Sequence, residues 1–167
     1  MTEPRAGLTF EGRPGGKPAR YALAAAKFNA MIVEKLVDGA IEALMRHGVD
    51  PADIDLAWVP GALELPLVVQ KLARSKQYSA VIALGTVIRG DTSHYDIVSL
   101  NSASGCAAVA LETGVPVLNA ILTVEDLDQA LARAGGEVGN KGFDAAMAAL
   151  EMVDLLAKLP NIPKDRE

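Results

Sequence analysis

Ala80 to Asp96 reads AVIALGTVIRGDTSHYD, in which an apolar run passes into a polar segment that contains glycine. Its first part, Ala80 to Leu84, is a short continuous apolar run, which is typical of a strand buried on both faces of a parallel sheet. Gly85 and Gly90 follow this run. Because glycine adopts backbone angles that other residues avoid, the two glycines predict a turn whose backbone amides converge on one point.

A helix is predicted after this turn, from Tyr95 to about Leu111, with Ser93 and Asp96 spaced as a capping pair. The joint therefore combines a strand end, a glycine turn and a helix N-terminus, where free N–H groups and the helix dipole favour an anion. His94 lies in this joint. A histidine in such a position is a candidate for proton transfer near pH 7.

The rest of the chain alternates strand-like apolar runs with helical periodicity. Further strands are predicted at Tyr21 to Ala26, Ile54 to Val59 and Val115 to Leu122. Further helices are predicted from Ile32 to Gly48, from Leu65 to Ser75, from Leu127 to Ala134, and from a glycine-rich loop at Gly135 to Gly142 as far as about Leu159. This alternation implies an α/β three-layer sandwich of the flavodoxin type, with a four-stranded parallel sheet and helices on both faces.

We expect one domain over residues 19–159, between an N-terminal tail of residues 1–18 and a C-terminal tail of residues 160–167. A chain of 167 residues is long enough for one core that buries about two-thirds of the surface exposed on unfolding. Leu8 to Glu11 alternates apolar with polar residues and predicts a short strand wherever a strand edge is offered to it.

Composition excludes several classes of function. The net charge of -5, without a concentrated basic patch, disfavours nucleic acid and anionic membranes as partners. The one cysteine, Cys106, excludes an intrachain disulfide and is expected to be a small packed residue. No apolar signal segment opens the chain, so a cytoplasmic location is predicted. No spacing of cysteine or histidine suggests a metal site.

Three groups of residues follow predicted strands, where ligands bind in an open parallel sheet. They are Phe28-Asn29, Gly61 to Glu64 and Gly85 to His94. Each has an ordinary structural alternative: Phe28 could pack in the core, Glu64 could complement a helix dipole, and the glycine turn could be a simple tight turn. The other histidine, His47, precedes Gly48 and is interpreted as part of a helix C-terminus.

The chain resembles the lumazine synthase family of riboflavin biosynthesis over about residues 20–156. The segments that carry the resemblance are Phe28-Asn29, Val59 to Pro66, Gly85 to Tyr95, Leu122-Thr123 and Asn140 to Gly142. The resemblance implies an enzyme that condenses 5-amino-6-ribitylaminouracil with 3,4-dihydroxy-2-butanone 4-phosphate, releases phosphate and water, and uses no metal or organic cofactor.

The resemblance also implies roles for individual residues. His94 is the expected catalytic acid and base. Phe28 is expected to stack on the pyrimidine ring of the substrate, and Ala62, Leu63 and Glu64 are expected to bind its ribityl side. Further substrate contacts are expected from Thr86, Val87, Ile88 and Asn119. Asn119 stands where many members carry an aromatic residue, and the family supplies this position from the adjacent subunit. Phosphate binding is expected from Gly90, Asp91, Thr92, Arg133 and Lys141, with Asp91 contributing its backbone amide. Arg89 is expected to have a structural or interface role.

The implied assembly is a homopentamer, which in some members forms a sixty-subunit icosahedral shell, and association with riboflavin synthase is a further expectation. The resemblance also implies that the edge for the strand at Leu8 to Glu11 belongs to a neighbouring subunit. Three alternatives remain on the sequence alone: a non-catalytic relative that binds a flavin or lumazine, a riboflavin synthase, and an unrelated doubly wound nucleotide-binding domain. The last would carry a dinucleotide fingerprint or a P-loop, and the sequence contains neither.

Overall fold

A four-stranded parallel sheet forms the middle layer of the computed structural model, which describes residues 7–15 and 18–160. The strands are β1 (Tyr21–Ala26), β2 (Ile54–Val59), β3 (Ala80–Ile88) and β4 (Val117–Val124), in the order β2-β1-β3-β4. The helices are α1 (Ala30–Arg46), α2 (Leu65–Arg74), α3 (His94–Thr113), α4 (Leu127–Arg133) and α5 (Lys141–Lys158). The predicted α/β sandwich of the flavodoxin type is confirmed.

Two hydrophobic cores lie on opposite faces of the sheet because successive strand side chains point to opposite sides. Ile82 and Leu84 of β3 pack with α1 and α5, whereas Val81 and Ala83 pack with α2 and α3. Central strands β1 and β3 are buried on both faces, as their apolar runs predicted. Cys106 of α3 is 1% exposed in the second core, and burial raises the pKa of its thiol to about 11. It is the small packed residue that was expected.

β3 is longer than predicted. The strand continues past Leu84 to Ile88, so Gly85 lies within the sheet rather than in a turn. Thr86, Val87 and Ile88 are β-branched, which favours extended backbone, and β4 pairs with them as far as Val124. Neither Gly85 nor Gly90 has a positive φ, so the prediction of a turn requiring glycine angles was wrong.

The start of α3 also differs from its prediction. The helix begins at His94, and Ser93 makes no capping hydrogen bond through its side chain. Ser93 has helical angles (φ −69°, ψ 0°) instead of the extended backbone of a capping residue, so the capping pair with Asp96 does not form. The hydroxyl of Thr92 accepts a hydrogen bond from the backbone N–H of His94 (3.3 Å).

Three further segments refine the predicted boundaries. β4 is displaced toward the C-terminus relative to Val115 to Leu122. The loop expected at Gly135 to Gly142 is shorter than predicted, since α5 begins at Lys141. Most of it belongs to a short antiparallel hairpin of β5 (Ala134–Gly136) and β6 (Gly139–Asn140). His47 follows the last residue of α1, and its Nδ1 lies 2.8 Å from the carbonyl oxygen of Ala43, which confirms its place at the helix C-terminus.

The described part of the N-terminal tail lies along α5. The backbone N–H of Arg13 donates to Asp154 (2.8 Å), and Lys158 donates to the carbonyl oxygen of Glu11 (2.9 Å). Residues 8–11 form no strand in the single chain, so their pairing with a neighbouring subunit stays a prediction. Residues 1–6, 16–17 and 161–167 of the two predicted tails lie outside the described residues. No helix in the described part of the chain is long and apolar enough to cross a membrane.

Candidate active site

The loops at the C-terminal ends of β1, β2 and β3 enclose a cavity of about 520 Å³ together with the start of α3. We call this cavity the Phe28 pocket. Its walls are formed by Phe28, Asn29, Pro60, Gly61, Ala62, Leu63, Glu64, Thr86, Val87, Ile88, Gly90, Thr92, His94, Tyr95 and Val98. The three sequence segments that follow β1, β2 and β3 therefore meet at one place, as expected for the C-terminal edge of a parallel sheet.

Phe28 lies at the mouth of this pocket, and its side chain is 73% exposed. The alternative that it packs in the core is therefore wrong. Its backbone is held in place by the end of β2. The N–H of Lys27 donates to the carbonyl oxygen of Val59 (2.8 Å), and the N–H of Phe28 donates to that of Pro60 (3.2 Å). The ring thus presents an aromatic face to the cavity from a fixed backbone.

A single 3₁₀ turn, Ala62–Glu64, forms the β2 side of the pocket. Ala62 is buried, whereas Leu63 and Glu64 are exposed. Glu64 directly precedes α2 but makes no capping hydrogen bond through its side chain. Its carboxylate is therefore not engaged in capping α2 and is available as a hydrogen-bond acceptor at the pocket wall.

The last three residues of β3 form the floor. Thr86 is 3% exposed, and its hydroxyl oxygen is buried without a hydrogen-bond partner in the part of the chain that the structure describes. A buried hydroxyl without a partner is uncommon, since it costs desolvation that no bond offsets. Val87 and Ile88 add apolar surface beside it. The Thr86 carbonyl oxygen accepts a hydrogen bond from the side-chain amide of Asn29 (2.9 Å).

The loop between β3 and α3 brings His94 to the pocket. Gly90, Thr92 and His94 line the cavity, and His94 is exposed to solvent. Asp91 is exposed but lines neither this cavity nor the cleft described below. Neither its carboxylate nor its backbone amide belongs to either wall, so the contribution expected from the backbone amide of Asp91 stays a prediction.

Arg89 braces this loop from outside. Its guanidinium donates to Glu125 (2.8 Å), lies 3.5 Å from Asp96 and stacks over the ring of Tyr95 at 4.2 Å from the centroid. Partial desolvation lowers the pKa of the guanidinium, but the carboxylates of Glu125 and Asp96 more than offset this, so the pKa is raised overall. Arg89 thus connects the end of β3 with the first turn of α3 and the end of β4, in agreement with the structural role expected.

Asn119, Arg133 and Lys141 lie elsewhere, in a second cavity of about 420 Å³ between β4, α4 and α5. We call it the Arg133 cleft. Its other walls are Ala120, Ile121, Leu122, Thr123, Val124, Asp144 and Ala145. The half-buried Arg133 donates to the carbonyl oxygen of Gln129 (3.1 Å), and Lys141 pairs with Asp144 (2.9 Å).

The pocket and the cleft share no residue. A single chain therefore does not bring Arg133, Lys141 or Asn119 to His94. A sequence model of the 6,7-dimethyl-8-ribityllumazine synthase family matches residues 18–157, which include both cavities.

The chain belongs to this family.

Membership in the lumazine synthase family means that the chain belongs to an enzyme family of riboflavin biosynthesis. It further implies small-molecule substrates and an oligomeric assembly. No group of three or more histidine, cysteine, aspartate or glutamate side chains suited to a metal ion occurs among the described residues.

Sequence reasoning assigned no role to several residues of the two cavities. Tyr95 and Val98 line the Phe28 pocket beside His94, and Thr123 and Asp144 line the Arg133 cleft. The signal for Val98 was helical spacing, because it lies one turn after His94 on the same face of α3. Asn29 was singled out only as part of the pair Phe28-Asn29, without a role of its own, and nothing in the sequence indicates its bond to β3.

Proposed function

We propose that this protein is a 6,7-dimethyl-8-ribityllumazine synthase, a transferase that condenses 5-amino-6-ribitylaminouracil with 3,4-dihydroxy-2-butanone 4-phosphate. The observation that carries the proposal is the convergence of Phe28, Glu64 and His94 on one cavity at the C-terminal edge of the sheet. An aromatic face, a carboxylate that makes no capping bond and an exposed imidazole suit a heteroaromatic amine with a polyhydroxyl chain, which must also exchange protons.

The uracil substrate takes the Phe28 pocket. Its ring stacks on Phe28, and its ribityl hydroxyls donate to the carboxylate of Glu64 along the turn formed with Ala62 and Leu63. Thr86, Val87 and Ile88 contact the ring from below. This arrangement is supported by the exposed ring of Phe28 and by the carboxylate of Glu64, which makes no capping bond.

The phosphate of the second substrate lies against Gly90, Asp91 and Thr92, next to the N-terminus of α3. Helix N-termini favour anions because their first N–H groups are free and the dipole is positive there. In this proposal the positive charge comes from Arg133 and Lys141, with a planar guanidinium suited to two parallel hydrogen bonds.

His94 transfers protons as the bonds change. The amine of the uracil attacks the ketone and forms an imine with loss of one water. Elimination of phosphate, with loss of a proton from the neighbouring carbon, leaves an enol that tautomerises to a second ketone. The ribitylamine attacks this ketone and closes the ring with loss of a second water. Each of these steps moves a proton to or from nitrogen or oxygen, and the exposed imidazole of His94 is within the same cavity. The remaining acceleration comes from holding the two reactants together. No step requires a metal or an organic cofactor.

The complete site is shared between subunits of a homopentamer. Two observations support sharing: the Arg133 cleft is separate from the Phe28 pocket in one chain, and α3 leaves large apolar side chains uncovered. Ile97, Leu100 and Leu111 of α3 are 53%, 67% and 91% exposed, which is unusual for a helix of a monomeric protein. We extend the proposal to a cytoplasmic enzyme that associates with riboflavin synthase, and sedimentation at micromolar concentration distinguishes a pentamer from a sixty-subunit shell.

The direct test mixes the purified protein with both substrates and follows lumazine fluorescence together with phosphate release. Matched, enzyme-dependent appearance of both products supports the synthase. If a folded, oligomeric protein produced neither, the assignment as an enzyme would be abandoned in favour of a protein that binds a lumazine or a flavin without converting it.

A complementation experiment tests the shared site. Chains carrying His94→Ala are co-assembled with chains carrying Arg133→Ala, so that about a quarter of random interfaces combine an intact pocket with an intact cleft. We expect activity well above the sum of the two separate variants. Activity equal to that sum would mean that His94 and Arg133 act from the same chain or do not act together.

A further inference from the structure

Asn29 has an unusual backbone for its position. It precedes α1 with left-handed angles (φ 59°, ψ 42°), a conformation that residues with side chains rarely adopt. Its carbonyl oxygen accepts from the N–H groups of Ile32 (3.0 Å) and Val33 (3.2 Å), so the residue opens the helix. An asparagine that precedes a helix ordinarily caps it with its side-chain oxygen, but Asn29 makes no such bond.

The side-chain amide of Asn29 instead crosses to β3 and donates to the carbonyl oxygen of Thr86 (2.9 Å). Pairing between β1 and β3 ends at Ala25 and Leu84, so Thr86 lies two residues beyond the last pair. The amide therefore continues the connection between the two strand ends where backbone pairing has stopped. Rare backbone angles persist only where the surrounding structure holds them, and they concentrate at functional sites.

The bond from Asn29 to Thr86 is accompanied by a backbone hydrogen bond from Phe28 to the segment after β2. The N–H of Phe28 donates to Pro60 after β2, while the next residue donates to Thr86 of β3. The backbone of Phe28 and Asn29 is thus tied on one side to the segment after β2 and on the other to the end of β3, which forms the floor of the pocket. Because Phe28 is 73% exposed, core packing contributes little to its position, and the held backbone fixes the point from which its ring extends.

We infer that Asn29 is a positioning residue that holds the ring of Phe28 at a set distance from the floor of the pocket. The inference rests on the proposed function only in naming the uracil as the molecule that the ring contacts. Without the bond to Thr86, substrate binding must order the loop, so affinity for the uracil falls while proton transfer at His94 is little changed.

Two substitutions remove the hydrogen bond to Thr86 while keeping the left-handed backbone of residue 29. Asn29→Gly keeps the left-handed conformation and removes the amide, and Asn29→Asp keeps the shape but replaces the donor by an acceptor. Lys76→Gly is the matched control, since Lys76 is the other described non-glycine residue with a positive φ (59°) and lies beyond the end of α2, outside both cavities.

For both Asn29 variants we expect KM for the uracil to rise about tenfold, as the loss of one net hydrogen bond predicts, with kcat changed less than about threefold. Lys76→Gly should leave both constants at the wild-type values. In a Phe28→Ala background, Asn29→Asp should have little further effect, because the two residues act through the same contact. A wild-type KM in Asn29→Asp, or an equal effect of Asn29→Asp with and without Phe28, overturns the inference.

Amide hydrogen exchange without substrate distinguishes this inference from the proposed function. We expect the N–H groups of Lys27 and Phe28 to exchange faster in both Asn29 variants than in the wild type and in Lys76→Gly. If the wild type forms no lumazine, the proposed function fails while faster exchange still supports the positioning role. Unchanged exchange at residues 27 and 28 contradicts that role whatever the activity.

Discussion

The Phe28 pocket and the Arg133 cleft are built in opposite ways. Main-chain hydrogen bonds and one side-chain amide hold the loops of the pocket, and its candidate groups, Phe28, Glu64 and His94, point to open space. The cations of the cleft already have partners within the chain, Gln129 for Arg133 and Asp144 for Lys141. The pocket is therefore prepared for its ligand, whereas the cleft must exchange internal contacts for external ones.

Breaking the ion pair in the cleft costs little free energy. Lys141 and Asp144 are 42% and 57% exposed, and ion pairs of this exposure contribute only about 0–1 kcal/mol. A phosphate bound at Lys141 would replace a weak surface pair by a stronger charge-assisted bond. We therefore expect substitution of His94 in the pocket to act on turnover, and substitutions in the cleft to act on binding of the phosphate substrate.

The largest effect is expected for His94→Ala. Loss of a general acid and base should lower kcat by about 10²- to 10⁴-fold without abolishing turnover, because the two substrates are still held together. Steady-state kinetics measure the change. His47→Ala is the matched control, since His47 lies at the end of α1 and lines neither of the two cavities. An unchanged kcat in His94→Ala would remove His94 from the mechanism.

Arg133→Ala should raise KM for the butanone phosphate by about 10- to 100-fold, the range for losing a hydrogen bond to a charged group. KM for the uracil should change far less, because that substrate binds in the Phe28 pocket. Arg133→Lys keeps the charge but not the planar guanidinium, so its KM for the butanone phosphate should lie between those of the wild type and of Arg133→Ala. Arg46→Ala serves as a control, because Arg46 pairs with Glu42 on the surface of α1. Equal changes in both KM values would contradict the division between pocket and cleft.

Asn140 tests how the cleft is held. Its side-chain oxygen accepts from the N–H groups of Gly142 (2.9 Å) and Phe143 (3.1 Å), and its amide donates to the carbonyl oxygen of Lys35 in α1 (2.8 Å). Asn140→Ala removes the cap and the cross-connection together, and should lower the free energy of unfolding by about 2 kcal/mol in urea denaturation. Asn140→Ser keeps a capping hydroxyl and should lose about half as much. Equal losses in the two variants would assign the whole effect to the bond with Lys35.

Sequence patterns predicted most of the frame because apolar runs and helical periodicity follow directly from burial. β1 and β2 match their predicted bounds, and the buried run from Ala80 to Leu84 lies within β3. The extension of β3 to Ile88 was missed because a glycine within a strand resembles one that ends it. This extension of β3 is stabilised by pairing with β4, which is distant in sequence.

The site could be predicted only in part, for a related reason. Segments that follow strands converge on one edge, so Phe28, Glu64 and His94 were predictable as neighbours. The separation of Arg133 from them depends on how α4 packs beside β4, which no local pattern specifies. The bond of Asn29 to Thr86 likewise joins residues that are 57 positions apart in the sequence, and no local pattern indicates it.

Thr86→Val should give the smallest change, and its sign is informative. The substitution replaces a buried hydroxyl that has no partner among the described residues by a methyl group of similar size. The protein should therefore be as stable as the wild type or more stable by up to about 1 kcal/mol, measured by urea denaturation. Thr86→Ser is the control that keeps the hydroxyl and loses the methyl group. If the hydroxyl binds the uracil, Thr86→Val should raise KM for that substrate while Thr86→Ser does not. A loss of stability in Thr86→Val would show that the hydroxyl has a partner in the free protein, and the pocket would then be less prepared for its ligand than the comparison with the cleft implies.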